Sequence, residues 1–304
     1  MRKPNLFIVG APKCGTSALA EYLGEHPAIF MSEPKEPHFF ATDMPGHRVI
    51  DSMDGYEGIF SNATVRHHVL GEASVFYLYS RTALGNIHAF NPDAKLIAML
   101  RNPVDMVYSM HSQALYSTDE DEPDFMQAWA LQDERLARGH LPRNCRTPAI
   151  LQYRSLGCYS EQVERMLSIF PEEQVKIILF DDFKRDTKAV YEDMLMFLGV
   201  PSDGRERFEV INANKRLRFW WLSNFLNNPP SIVRDAWRLA KHLPGLDERV
   251  AQRFYDWLDR ANTQVVPRVD LSLDARRMLC DFFHDDVARL SALIGRDLSK
   301  WVAG

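Results

Sequence analysis

Cysteine is scarce in this chain: Cys14, Cys145, Cys158 and Cys280 are the four among 304 residues, with no C-x-x-C pair and no histidine pairing at zinc spacing. Four dispersed cysteines do not make a disulfide framework and suit a reducing compartment, although Cys145 and Cys158 lie close enough in sequence to pair. Long apolar runs are absent too. No stretch approaches the ~18 residues of a membrane-spanning helix. After Met1-Arg2-Lys3-Pro4-Asn5 only four apolar residues precede a glycine loop, too short for a signal-peptide core, so a soluble cytoplasmic chain without a transmembrane segment is expected. Net charge is small, −5, which argues against a general nucleic-acid binder while leaving room for local basic grooves. Repeats and low-complexity linkers are also missing. With 46% hydrophobic and 25% charged residues, what remains is ordinary globular material, long enough for one α/β domain with insertions.

One further absence is more telling. Leu6-Phe7-Ile8-Val9 predicts a buried strand, Gly10 and Pro12 break it, and Leu19, Tyr22 and Leu23 recur at helical spacing from Ser17 onward. Strand, glycine loop and helix offer unpaired amides and the positive end of a helix dipole to an anion, usually a phosphate. The nucleoside-triphosphate pattern G-x-x-x-x-G-K-[ST] would place a lysine after Gly15, but Thr16 and Ser17 follow directly and the lysine is Lys13, inside the loop. Its ammonium is therefore aimed at a different part of the ligand. Cys14 shares the loop, where Lys13 and the helix terminus would lower a thiol pKa, though a small tolerated loop residue is the plainer reading.

Further along, Ala28–Met31 predicts a second strand, and Pro34-Lys35-Glu36-Pro37-His38-Phe39-Phe40 a rigid extended loop anchored by its two phenylalanines. Glu36 and His38 stand two apart, so in extended chain they point to one side, as a general base and its neighbour would. A salt-bridged surface loop is the bland alternative. Residues 41–68 predict an irregular crossover with His67 and His68 on the surface, and 71–79 a strand end or short helix leading to a helix over 83–90. Lys95–Leu100 predicts a strand stopping at Arg101-Asn102-Pro103, with Pro103 opening the next helix and Ser109 about two turns along it. Arg101 thus sits where open α/β sheets hold their ligands. Asp119–Asp124 predicts a solvated acidic turn. The basic residues Arg135, Arg138, His140, Arg143 and Arg146 make either a flap rim suited to an anionic partner or a solvated helix face. Val175–Phe180 predicts another strand and Val190–Leu198 an amphipathic helix, while Asn212–Phe219 holds Lys215, Arg216 and Arg218 in a polar loop. Asp274 is the expected N-cap of a last helix that buries Leu279, Phe282, Phe283, Val287, Leu290 and Leu293 and ends at Gly295. The sum is one α/β domain over 1–304: a central parallel sheet flanked by helices, 112–150 as a lid or insertion, and a mainly helical part over 220–304.

The loop at 10–18, Lys-Glu-Pro-His-Phe-Phe at 35–40 and Arg-Asn-Pro…Ser at 101–109 together resemble sulfotransferases, most of all the heparan-sulfate-type and bacterial carbohydrate enzymes. Phe197-Leu198-Gly199 and the ending Leu293–Trp301 are similar to bacterial members. This resemblance implies a P-loop-like site for the 5′-phosphosulfate of 3′-phosphoadenosine 5′-phosphosulfate (PAPS), formed by Lys13, Gly15, Thr16, Ser17 and Ala18. It implies Arg101 and Ser109 as the clamp on the 3′-phosphate, Glu36 as catalytic base with His38 as auxiliary, and Lys13 at the leaving oxygen. It implies no metal, an acceptor that is a saccharide or another alcohol, and 112–150 as an acceptor-side insertion. The strap over the nucleotide has no clean match, and Lys215, Arg216 and Arg218 are the nearest candidates. Two other readings remain open from the residues: a P-loop kinase using ATP and magnesium, with Ile177–Asp181 as an apolar strand ending in a metal-binding aspartate, and a non-catalytic carbohydrate- or nucleotide-binding protein.

Overall fold

The computed structural model describes residues 2–209, apart from Arg138, and 269–303, together with the backbone of two short strands at 215–217 and 263–265. Five parallel strands form the sheet: β1 (Leu6–Gly10), β2 (Ile29–Met31), β3 (Val69–Ala73), β4 (Lys95–Leu100) and β5 (Val175–Leu179), in the spatial order β2-β3-β1-β4-β5. Ile8 stands between Ala73 on one side and Ile97 on the other, and Leu100 stands beside Leu179. Parallel strands covered on both faces need uninterrupted apolar runs, which is why β1 and Leu96–Leu100 are fully buried. The chain leaves β1 for β2 and β3 on one side, then crosses to β4 and β5 on the other. That reversal opens a crevice at the carboxyl ends of β1 and β4.

Helices cover the sheet. α1 (Thr16–Gly24) follows the glycine loop, and α2 (Met53–Gly58) gives the 41–68 crossover one regular turn, with His67 half-buried and His68 exposed as expected. After β3 the chain turns through Ser74–Ser80 into α3 (Ala83–Phe90). α4 (Pro103–Tyr116) begins with Pro103 in its first turn and the Asn102 side chain accepting from the Val104 amide, the start expected of a proline-led helix. Asn102 also donates to the Trp301 carbonyl (2.7 Å), fastening the end of the chain beneath the site.

The acidic turn is where the structure departs furthest from expectation. Asp119 and Glu120 are buried, and Glu120 is paired with Arg135, itself 1% exposed. Arg135 lies at the end of α6 (Gln132–Leu136), which follows α5 (Phe125–Ala130), so it points inward and belongs to no basic rim. Arg146 is likewise committed to Asp119 (2.8 Å) and His140 to Glu134 (2.7 Å). Arg138 lies outside the described residues. The acidic turn reads as solvated because the partners of Asp119 and Glu120 are remote in sequence.

α7 (Tyr153–Gly157) and α8 (Ser160–Ile169) precede β5; α9 (Phe180–Arg185) and α10 (Thr187–Leu198) follow it, α10 capped by Asp186 and starting three residues before Val190. α11 (Leu273–Ile294) ends at Gly295 in the left-handed region, as expected, but Ser272 rather than Asp274 is its cap. Asp274 takes the dipole position in the first turn. Leu279, Phe283, Val287 and Leu290 are buried, whereas Phe282 and Leu293 are about two-fifths exposed, one step off the stripe that packs on α8 and α4. Asp286 of α11 caps α8 by accepting from the Tyr159 amide (2.8 Å). Strands β6 (Lys215–Leu217) and β7 (Thr263–Val265) pair antiparallel where a polar loop and helices were expected. Arg218, the side chains of Lys215 and Arg216, and residues 220–262 lie outside the described residues.

Candidate active site

A cleft of about 650 Å³ lies over the carboxyl ends of the strands. The loop after β1 forms part of its wall. Lys13 and Gly15 both adopt positive φ (62° and 91°), which curls the chain around the entrance to α1. Gly15 is needed there: a Cβ would meet the Phe180 ring at 3.1 Å in a conformation that side chains disfavour. No side chain caps α1 and no acidic residue stands in its first turn, so the dipole end faces the cleft uncompensated. Pro12, Lys13, Gly15, Thr16, Ser17 and Ala18 all line the cleft wall. Lys13 Nζ donates to Gln113 Oε1 on α4 (3.1 Å).

Arg101 ends β4 beside this loop. Its guanidinium lies over the Phe180 ring (5.0 Å) and reaches the Lys13 carbonyl (3.4 Å) and the Asp105 carboxylate (3.9 Å). Ser109 lines the same wall from α4. A guanidinium resting on an aromatic face is held flat and ready for bidentate contact with an oxyanion.

Glu36, about a third exposed, lines the same cleft. The loop is not extended as expected: Glu36 and His38 are both left-handed (φ 63° and 49°). Their side chains meet nonetheless, His38 Nε2 donating to Glu36 Oε2 (3.3 Å) while Lys35 Nζ donates to Oε1 (2.7 Å). Burial pushes the Glu36 carboxyl up, but the hydrogen bonds and charges of His38 and Lys35 outweigh it and hold it at about 2. His38 is 3% exposed and packs against Phe76 and Tyr77 behind Glu36, outside the cleft wall. Phe40 is buried and Phe39 stacks on Tyr56 (4.5 Å), the anchors expected of this pair.

The cysteines are all free, so Cys145 and Cys158 do not pair. Cys14 is a small buried loop residue rather than an activated thiol, the plainer of the two readings its position allows. Full burial pushes it up to about 12, against the hydrogen bond from Tyr159 and the charge of Arg101. Alkylation of the native chain at pH 7 is expected to spare Cys14, as peptide mapping would show; modification as fast as in the unfolded chain would contradict this. Asp181 accepts from Trp301 Nε1 (2.8 Å) and is absent from the cleft wall, so the supposed metal-binding aspartate holds the C-terminal segment instead. Among the described residues no group of three or more His, Cys, Asp or Glu could hold a metal ion, and no helix is long and apolar enough to cross a membrane.

A family model described as sulfotransferase domain matches residues 3–225. The chain belongs to the sulfotransferase family. It is 28% identical over 311 residues to bifunctional heparan sulfate N-deacetylase/N-sulfotransferase 2 of Homo sapiens, covering 99% of this chain and 31% of that protein. To carbohydrate sulfotransferase 15 of Mus musculus it is 26% identical over 247 residues, 65% of this chain and 44% of that one. The chain thus spans less than half the length of either relative. A solved sulfotransferase from Alicyclobacillus acidocaldarius is 31% identical, covers 99% of both chains and superposes with a TM-score of 0.72. The parallel sheet with flanking helices is the fold of this family, and its chemistry is transfer of sulfate groups.

Several residues of this sulfotransferase cleft escaped sequence reasoning. His47, Phe76, Gln113, Tyr116 and Asp119 all line the wall, beside Arg146, which the basic stretch at 135–146 offers as part of a rim for an anionic partner. Burial and the nearby Arg146 charge push His47 down to about 4, so its imidazole is neutral at pH 7. None belongs to a motif; only the folding of 112–150 over the Glu36 loop brings them together.

Proposed function

We propose that the chain moves the sulfuryl group of PAPS to a hydroxyl or amine, on a saccharide, by in-line transfer with Glu36 as general base. One observation carries this reading: an uncapped helix terminus with Lys13, the Arg101–Ser109 pair, and the Glu36 carboxylate all line a single cleft. Two anion-binding positions suit a nucleotide phosphorylated at both ends of its ribose. A carboxylate in the same cleft suits the proton that an acceptor must lose.

In this reading the amides of Thr16, Ser17 and Ala18 and the Lys13 ammonium hold the 5′-phosphosulfate and neutralise charge growing on the leaving oxygen. Arg101 and Ser109 hold the 3′-phosphate, the group that distinguishes PAPS from ATP-like nucleotides. The backbone of β6 packs against α4, which bears Ser109, and this keeps Lys215 and Arg216, with Arg218 beyond, as the candidates for strapping the nucleotide. Glu36 removes the acceptor proton, oriented by His38. The aromatic and polar wall of Phe76, Tyr116, Asp119 and Arg146 offers the mixed surface that a sugar requires. No metal is assigned a role. Free thiols at all four cysteines fit a reducing, cytoplasmic setting.

Calorimetry with 3′-phosphoadenosine 5′-phosphate and adenosine 5′-phosphate tests the donor half. The bisphosphate is expected to bind more tightly, and Arg101→Ala to erase about 10–100-fold of that preference, the value of a charge-assisted hydrogen bond. Tighter binding of ATP with magnesium would favour a kinase. Binding without sulfate transfer to any member of a saccharide panel would favour a non-catalytic role.

A further inference from the structure

Glu72 sits next to the carboxyl end of β3, fully buried, and hydrogen-bonds to none of the groups assigned to donor or acceptor. A charged residue in a central parallel strand is costly and calls for an explanation. Its carboxylate accepts three hydroxyls: Tyr56 Oη (2.8 Å) and Tyr77 Oη (3.0 Å) on Oε1, and Ser74 Oγ (2.9 Å) on Oε2. Two of these hydroxyls accept in turn from the catalytic loop. The His38 amide donates to Ser74 Oγ (3.1 Å) and the Phe40 amide to Tyr77 Oη (3.2 Å).

The direction of this network is fixed by its ends. Backbone amides can only donate, so Ser74 and Tyr77 accept there and must send their own hydrogens on to an acceptor. Glu72 is that acceptor for both. The loop needs the support, because Glu36 and His38 both hold a left-handed backbone that ordinary side chains avoid. The Glu36 amide is bonded to the Ala73 carbonyl (3.0 Å), next in chain to Glu72, so three successive alternate amides of the loop are tied to one short stretch of β3 and its turn. Burial raises the Glu72 carboxyl to about 7 even against its three hydroxyl donors.

We infer that Glu72 is a positioning residue: through Ser74 and Tyr77 it fixes the His38 and Phe40 amides and so aims the Glu36 carboxylate into the cleft. This rests on the reading of Glu36 as the base. Tyr56 supplies the control, since it donates to Glu72 but bonds to no loop amide, and Phe keeps its ring against Phe39.

Glu72→Gln, Ser74→Ala, Tyr77→Phe and Tyr56→Phe are compared by melting temperature, steady-state kinetics and amide hydrogen exchange over residues 36–40. The first three are expected to lower kcat about 10–100-fold, as displacement of a reacting group does, with the donor KM within about threefold. They should also lose exchange protection at His38 and Phe40. Tyr56→Phe should melt earlier by a similar margin with kcat and loop protection near native. If Glu72→Gln does not fold, Ser74→Ala and Tyr77→Phe carry the comparison. Equal kcat in Tyr77→Phe and Tyr56→Phe would overturn the inference, as would native loop protection in Ser74→Ala and Tyr77→Phe. Glu36→Gln run alongside separates the two readings. Inactive Glu36→Gln with fully active Glu72→Gln defeats the positioning role alone, whereas fully active Glu36→Gln defeats the base, and exchange at His38 and Phe40 then still decides whether Glu72 holds the loop.

Discussion

Glu36→Gln should turn over about 10²–10⁴ more slowly than the native chain, with nucleotide affinity nearly unchanged, the range that loss of a positioned general base produces. The amide matches the carboxylate in shape but cannot take a proton. Donor affinity survives because Lys13, the α1 terminus and Arg101, not Glu36, are the groups assigned to the nucleotide. Held at about 2 by His38 and Lys35 against the pull of burial, the carboxylate is ionised at every pH above about 4. Protonation would disable it only far into acid, so Glu36 contributes no acid limb to kcat between pH 5 and 8. A carboxylate this acidic accepts protons poorly from a resting hydroxyl. It suits a transfer in which the acceptor oxygen grows acidic as its bond to sulfur forms. Radiolabelled sulfate transfer for the rate, with calorimetry for the nucleotide, checks both halves; native kcat in the variant would remove Glu36 from the chemistry.

Arg135→Ala is expected to cost about 3–5 kcal/mol, the usual penalty for stranding a buried charge, and to lower the melting temperature on the order of 10 °C. Arg135 donates to both oxygens of Glu120, at 2.6 and 2.5 Å, with neither side chain more than 1% exposed. Tyr153 Oη (2.8 Å) and the amides of Asp121 and Glu122 (2.9 Å each) complete the Glu120 carboxylate. Removing the guanidinium leaves that anion in a dry interior, whereas removing both charges leaves only a repacking problem. Glu120→Leu with Arg135→Met should therefore recover much of the loss. Calorimetric melting decides; a drop below about 2 °C for Arg135→Ala would mean that solvent reaches the pair. Since Asp119 and Arg146 flank Glu120 at the cleft, the single variant should also raise the acceptor KM before it alters the donor KM.

What could be read from the chain by itself was whatever depends on neighbours within a few positions. The apolar runs of β1 and β4, the glycine loop with its displaced lysine, Arg101 at a strand end and Ser109 two turns into α4 are all local patterns; the runs reappear as the central strands and the other three in the cleft. Only tertiary structure decided the rest. Glu120 reads as solvated until Arg135 meets it, Cys14 leaves two readings open until Tyr159 and the core enclose it, and Glu36 with His38 reads as extended until β3 bends the loop into left-handed turns. His47 reaches the cleft from a segment about seventy to a hundred residues away from Asp119 and Arg146. The physical reason is that periodicity and turn chemistry are properties of adjacent residues, while burial, and with it the strength of every charge and hydrogen bond, is set by what folds over them from elsewhere in the chain.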